Sequence, residues 1–251
     1  FDHEHKKAFF QKVIDAFQDE DLTVVVVSDP DLFDQWPENF MVYSQIPQLD
    51  LLPHLDAVVC HGGHNTVSEA LSQGLPLVVI PIAYDQSHVA GRVVRTGAGE
   101  RLNFNRFKAN HLKSSVHDIL NNPQYREAAL KVRQSFIDAG GTKTAADLLE
   151  HAIISAQRSI ESPAKFLVVV PPFFGHISPT ISLGASLLAR GHEVKWFGIT
   201  PLAKEHIPTG GTYIYPEEDL LPYQEELQRI LKRQDDGPSC SGPEVMKLAL
   251  E

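Results

Sequence analysis

A chain of 251 residues, 43% hydrophobic and 22% charged, has the composition of an ordinary globular protein and is long enough for one large or two modest domains with a real core. Its formal net charge of −10, without a basic stripe or cluster, argues against nucleic acid as a partner. Cys60 in an apolar run and Cys240 in a Gly/Pro/Ser stretch make no disulfide framework, no apolar run approaches the roughly 20 residues that span a bilayer, and the start Phe1-Asp2-His3-Glu4-His5 is no signal peptide, so the expectation is a cytoplasmic chain without a transmembrane segment, compatible with peripheral membrane contact.

In chain order, an amphipathic helix is expected over 5–18, with Ala8, Phe9, Val13, Ala16 and Phe17 on one face. The β-branched run over 22–27 reads as a strand of a buried parallel sheet, and 29–37 as a turn-rich loop. Strands at 57–60 and 77–80 flank a helix over 66–73 stopped by Gly74, and a strand at 101–104 precedes helices over 111–120, 124–139 and 143–154. Alternating strands and helices with short connections argue for an open, doubly wound α/β domain, placed at 1–156. A linker with Ser159, Ser162 and Pro163 follows at 157–164. A second α/β unit, 165–251, then begins afresh: strand 166–170, loop 171–176, helix 178–190 stopped by Gly191, and strand 193–197. Beyond it, 201–218 is mixed, 222–233 reads as a helix and 235–243 as a loop.

The most informative segment is His61-Gly62-Gly63-His64-Asn65-Thr66-Val67-Ser68-Glu69, the turn and helix of the βαβ unit at 57–80. A turn leaving a strand for a helix points backbone N–H groups and the positive end of the helix dipole at whatever sits above the strand end, so a nucleotide diphosphate fits there. Gly62 and Gly63 allow a ligand close to the backbone, and His61 can donate to a phosphoryl oxygen. Thr66-x-x-Glu69 is equally a capping box, in which Glu69 is only a cap. His61 and His64 lack a third ligand at useful spacing, so no metal is expected.

The stretch 45–99 adds Gln45-Ile46-Pro47-Gln48 upstream, then Asp85-Gln86 and Arg92-Val93-Val94-Arg95-Thr96-Gly97-Ala98-Gly99 downstream. Together these resemble the donor-binding signature of UDP-sugar-dependent glycosyltransferases of the GT-B fold, whose plant form reads W-x-P-Q, then H-C-G-W-N-S-x-x-E, and closes with D-Q. The resemblance implies that His61 and the backbone around Gly63, His64, Asn65 and Thr66 hold the diphosphate. It implies that Glu69 accepts from the ribose hydroxyls, that Asp85 and Gln86 bind the sugar hydroxyls, and that Gln48 belongs to the same donor site. Gln45 replaces the aromatic residue that plant enzymes place under uracil, so the nucleobase rests on likeness to bacterial relatives. His64 and Asn65 stand where other members vary.

In the second unit, Phe173-Phe174-Gly175-His176-Ile177-Ser178-Pro179 and the later Arg190-Gly191-His192-Glu193 resemble the opening of the acceptor half of the same enzymes. There the histidine of G-H-x-x-P is the general base, a role that falls on His176. A histidine just before a helix N-terminus has its charged form disfavoured by the dipole, which suits a proton acceptor; capping or packing is the plainer reading of such a histidine. His192 reads mainly as part of a helix stop.

In the family the acceptor half comes first, whereas here the donor half does. The donor half also begins at its first helix, without the Gly-Thr loop and a strand that would be central, and the family's carboxylate partner for the histidine cannot be named; Asp235 and Asp236 lie in the loop at 235–243. A circular permutant, a window of a tandem fusion, or a written order that is not the covalent order would each give this arrangement. The resemblance implies an inverting glycosyltransferase moving a hexose from a UDP-sugar co-substrate to a hydroxyl of a small lipophilic acceptor, with no cofactor. Details such as Asp85-Gln86-Ser87-His88 and Pro171-Pro172-Phe173-Phe174 look like bacterial carotenoid (zeaxanthin) and macrolide glucosyltransferases. The competing expectations are a catalytically incomplete or rearranged nucleotide-sugar-binding fragment and a nucleotide-sugar epimerase.

Overall fold

A computed structural model describes residues 3–157, 163–169, 174–198 and 201–214. The chain divides into two compact units, Phe1–Phe136 and Ile137–Glu251.

The first unit opens with helix α1 (His3–Phe17), followed by β1 (Val24–Val27), which pairs in parallel with β2 (Phe40–Tyr43), Val24 opposite Phe40. Asn39 closes the turn between α1 and β1, its amide donating to the carbonyls of Phe17 at 2.9 Å and Leu22 at 3.0 Å. The short helix α2 (Gln48–Leu51) then leads to β3 (Val58–Cys60), α3 (His64–Ser72), β4 (Leu77–Val79), α4 (Gln86–Thr96) and β5 (Gly99–Arg101). These strands form a parallel sheet in the order β3-β4-β5, and α5 (Ala109–Asn121) and α6 (Pro123–Asp138) follow.

Strand alternation explains how the helices are layered, because successive side chains point to opposite faces. Val78 and Ile80 join a cluster with Val13 and Phe17 of α1, Leu112, Val116 and Ile119 of α5, and Val26 and Phe40 of the first two strands. Leu77 and Val79 join another with Val67, Ala70 and Leu71 of α3 and Val89, Ala90 and Val93 of α4. Helices therefore cover both faces of β4, which is why its sequence is an unbroken apolar run; each such aliphatic side chain contributes roughly 1.5–3 kcal/mol on burial. The β1-β2 pair and the β3-β4-β5 sheet share the first cluster, yet among the described residues no strand hydrogen bonds link them.

The second unit starts with α7 (Gly141–Gln157), then β6 (Lys165–Val169), α8 (Phe174–Ala189), β7 (Glu193–Phe197) and β8 (Thr212–Ile214), a parallel sheet in the order β6-β7-β8. Trp196 is fully buried, and its Nε1 donates to Thr180 Oγ1 of α8 at 3.0 Å. Gly184 lets the indole in: a Cβ there would lie 2.1 Å from Trp196 Cζ2.

Several elements differ from the sequence reading. β2, α4 and β8 were not anticipated. β5 lies at Gly99–Arg101 instead of 101–104, because Gly99 seats against β4, where a Cβ would come within 2.0 Å of Leu77 O, and the Leu102 N–H closes the ladder on Val79 O. By packing, the compact units meet at residues 136/137, with α7 in the second unit. Arg190 Nη1 pairs with Asp147 and Glu150 of α7 at 2.8 Å each, and His192 Nε2 meets Glu150 Oε1 at 2.8 Å. The helix expected at 222–233, the loop at 235–243 with Asp235 and Asp236, and Cys240 lie outside the described residues.

Candidate functional site

A parallel sheet gathers at one end the loops that leave its strands. The loops following β3 and β4 touch there: a Cβ built on Gly62 would lie 2.7 Å from Val79 Cγ1 and 3.3 Å from the Gln86 carbonyl oxygen. Gly62 is buried with φ +90°, so both its conformation and the space around it require glycine. Gly63 follows as the N-cap of α3, in extended conformation and with no side-chain cap. The His61 ring folds over it, and a Cβ on Gly63 would sit 2.7 Å from His61 Nε2. The amides of a helix's first turn have no partner within the helix, and its dipole is positive at this end. The turn 61–63 and α3 thus present an anion cradle with an imidazole at its rim.

Withdrawal of water from the His61 ring lowers its pKa below the usual histidine value, while the Asp85 carboxylate acts in the opposite direction. The ring is held toward its neutral form, with one N–H to donate. Burial pushes the neighbouring Cys60 thiol up to about 11, with the Gly62 backbone N–H opposing, so the sulfur stays protonated.

The capping box expected at Thr66-x-x-Glu69 is not formed. Helix α3 begins at His64, two residues before Thr66, because the extended backbone at Gly63 already starts the helix. Glu69 is engaged elsewhere: Gln48 Nε2, on the first residue of α2, donates to its Oε2 at 2.5 Å. His64 Nδ1 and Ser68 Oγ stand 3.3 Å apart one turn along α3, and Asn65 is the second residue of that helix.

Asp85 and Gln86 sit beyond the loop 80–84, at the start of α4, and not at the end of a strand. Asp85 is exposed and occupies the N-cap position, where an aspartate normally accepts from the first turn, yet its side chain makes no capping bond. Gln86 folds its side chain back instead: Oε1 accepts from the Ile82 N–H at 2.8 Å and the Ala83 N–H at 2.9 Å. Arg101, which the sequence reading passed over, ends β5 at the same edge of the sheet, and its Nη2 donates to Ser87 Oγ at 3.2 Å. A cation on the last residue of a parallel strand was the signal that could have found it.

His176 lies in the second unit, apart from every donor-site residue in sequence and by unit. It is exposed and is the third residue of α8, not a residue preceding the helix, because α8 starts at Phe174, ahead of the expected 178. Pro179, without an N–H to return to the preceding turn, is accommodated near this end.

Comparison with known proteins names the fold's relatives. A family described as "Erythromycin biosynthesis protein CIII-like, C-terminal domain" matches residues 11–150, more than half of the chain. The chain belongs to this family. An uncharacterized UDP-glucosyltransferase, YojK of Bacillus subtilis (strain 168), is 37% identical over 154 residues, covering 59% of this chain and 38% of the relative. A zeaxanthin glucosyltransferase of Pantoea ananas is 29% identical over 160 residues, covering 61% of this chain and 37% of the relative. Among solved structures, a calicheamicin glycosyltransferase aligns at TM-score 0.57 and 27% identity, covering 60% of this chain and 40% of that one. The mixed α/β architecture with parallel sheets is that of GT-B glycosyltransferases. The chain spans less than two fifths of the length of these curated relatives, and the family match ends before His176.

Proposed function

We propose that this member of the erythromycin biosynthesis protein CIII-like C-terminal domain family takes part in inverting transfer of a hexose from a UDP-sugar to a hydroxyl of a small lipophilic acceptor. The observation that carries the reading is the convergence, at one end of β3-β4-β5, of an uncapped helix start, the His61 ring and the uncommitted Asp85 carboxylate. The diphosphate would rest on the amides opening α3 with His61 donating to it, Glu69 would take the ribose hydroxyls beside Gln48, and Asp85 with Gln86 would read the hexose. His176 would accept the acceptor proton as the oxygen attacks the anomeric carbon and the bond to the diphosphate breaks, inverting that carbon. The cradle would stabilise the departing diphosphate through fixed dipoles and one imidazole donor, without a resident metal.

Calorimetry with UDP and uridine tests the site. His61→Ala is expected to weaken UDP by about 1.5–3 kcal/mol and leave uridine nearly unchanged. Equal weakening of both would place His61 away from the diphosphate, and no UDP binding by the intact chain would refute the donor site. A second reading, binding without turnover, is favoured by the break between the two sheets of the first unit. UDP binding with no glucoside formed from UDP-glucose and a hydroxylated aromatic acceptor would select it.

A further inference from the structure

We propose that the bare face of the β6-β7-β8 sheet is a docking surface for this chain's own segment 222–233, laid across it as an amphipathic helix. Successive residues of a strand point to opposite faces, so the register sorts the side chains of the sheet into two layers. Phe166, Val168, Val194, Trp196 and Tyr213 share one face and pack with Leu183 and Leu187 of α8. Leu167, Val169, Phe197 and Ile214 share the other, where Val169 stands beside Phe197 and Phe197 beside Ile214 in one apolar row across all three strands. On that face Leu167 is 63% exposed, Val169 65% and Ile214 39%, and none of the three joins a hydrophobic cluster of the described residues. The charges there satisfy one another, Lys165 and Lys195 meeting Glu193 at 3.6 and 2.8 Å, which leaves the apolar rows as what a covering layer would bury. Parallel sheets are normally covered on both faces.

Chain direction selects the segment that supplies the layer. From β6 through α8 to β7, and from β7 to β8, the chain steps the same way across the sheet, and right-handed crossovers keep both connections on the α8 side; Ile207, between β7 and β8, packs there. A right-handed crossover reaches the opposite face only when the chain turns back toward β6. The segment after β8 is placed to make that return. Within 222–233, Tyr223, Leu227, Ile230 and Leu231 recur at i, i+4, i+7 and i+8, and every other position is Gln, Glu, Arg or Lys apart from Pro222, which suits a first helical turn. The lengths agree as well. Twelve helical residues run about 18 Å and the five residues of β6 about 17 Å, while the seven residues 215–221 reach up to about 23 Å against a sheet about 10 Å across.

The test is the rate at which a maleimide labels a single thiol on the full chain carrying Cys60→Ala and Cys240→Ser, with melting curves to confirm folding. Thiols are introduced by Val169→Cys and by Leu167→Cys, and by Lys143→Cys as an open reference, since Lys143 is 82% exposed on α7. The thiols at 169 and 167 are expected to react at least about 10-fold more slowly than the reference, and Leu227→Asp with Ile230→Asp to bring them up to the reference rate. Labelling at the reference rate in the folded chain without those aspartates would overturn the proposal. Protection that survives the aspartates would overturn it too, assigning the cover to a second copy if it fades on dilution and to another part of the chain if it does not. Should the aspartates unfold the unit, Val169→Cys joined with Leu227→Cys decides: a short bismaleimide is expected to link the two within a monomer, and a folded chain that yields no such link would overturn the proposal.

Discussion

Asp85 stands at a cap position without capping. An N-cap aspartate satisfies first-turn amides and typically adds about 1 kcal/mol to its helix, yet the Asp85 side chain makes no such bond and stands exposed beside the cradle. If that carboxylate reads hexose hydroxyls, Asp85→Ala should weaken UDP-glucose several-fold in calorimetry and leave UDP alone; identical losses for the two ligands would remove Asp85 from the sugar site. The turn between β3 and α3 was legible in the sequence because glycines at 62 and 63 specify a local backbone path, and local paths follow from residue type. Two details were not legible. The Thr66–Glu69 box matched a real motif, but Gln48 competes for the Glu69 carboxylate from 21 residues away, and no local pattern reports that competition. Gln86 bonding back to Ile82 and Ala83, and with it the positive φ of Tyr84, +56°, depends on how the loop after β4 turns, which only the folded chain determines.

At the level of elements, α1 and α5 are joined by charge as well as by their apolar faces. Glu20, just after α1, pairs with Lys113 of α5 and lies 2.9 Å from His117 Nε2 one turn further on. The hydrogen bond from Lys113 is the main reason that the Glu20 carboxyl titrates below the usual carboxylate value, with desolvation opposing and His117 assisting. A carboxylate whose folded pKa is depressed stabilises the fold above its unfolded pKa, about 4.3, and loses that contribution as pH falls through the folded value. The melting temperature of the parent should therefore exceed that of Glu20→Gln at pH 6, with the gap closing on acidification below about 4.3. A gap that stays constant down to pH 3 would show that Glu20 acts through shape and not charge. Apolar runs made β1, β3, β4 and β6 readable. β2 (FMVY) and β8 (TYI) lack the run of β-branched aliphatics that marks the other strands, and α4 (QSHVAGRVVRT) sets its buried Val89, Ala90 and Val93 among polar residues and a central glycine.

At the scale of the whole molecule, His176 and the turn 61–63 are carried on different compact units. Transfer, if His176 is the base, should fall on the order of 100- to 10,000-fold in His176→Ala with UDP affinity intact, as read by glucoside formation beside calorimetry; an unchanged rate would dismiss His176. That there are two α/β units was readable because the pattern of strand, loop and helix restarts at 166. That α7 packs with the second unit was not readable, because the contacts of Arg190 and His192 with α7 join residues 40 or more positions apart. The separation of β1-β2 from β3-β4-β5 carries a last consequence. Side chains alone hold these two sheets together, without a shared backbone ladder, so the loss of one need not unzip the other. Amide exchange is therefore expected to be faster in β1-β2 than in β3-β4-β5, and equal protection of the two would show that the shared apolar cluster couples them fully.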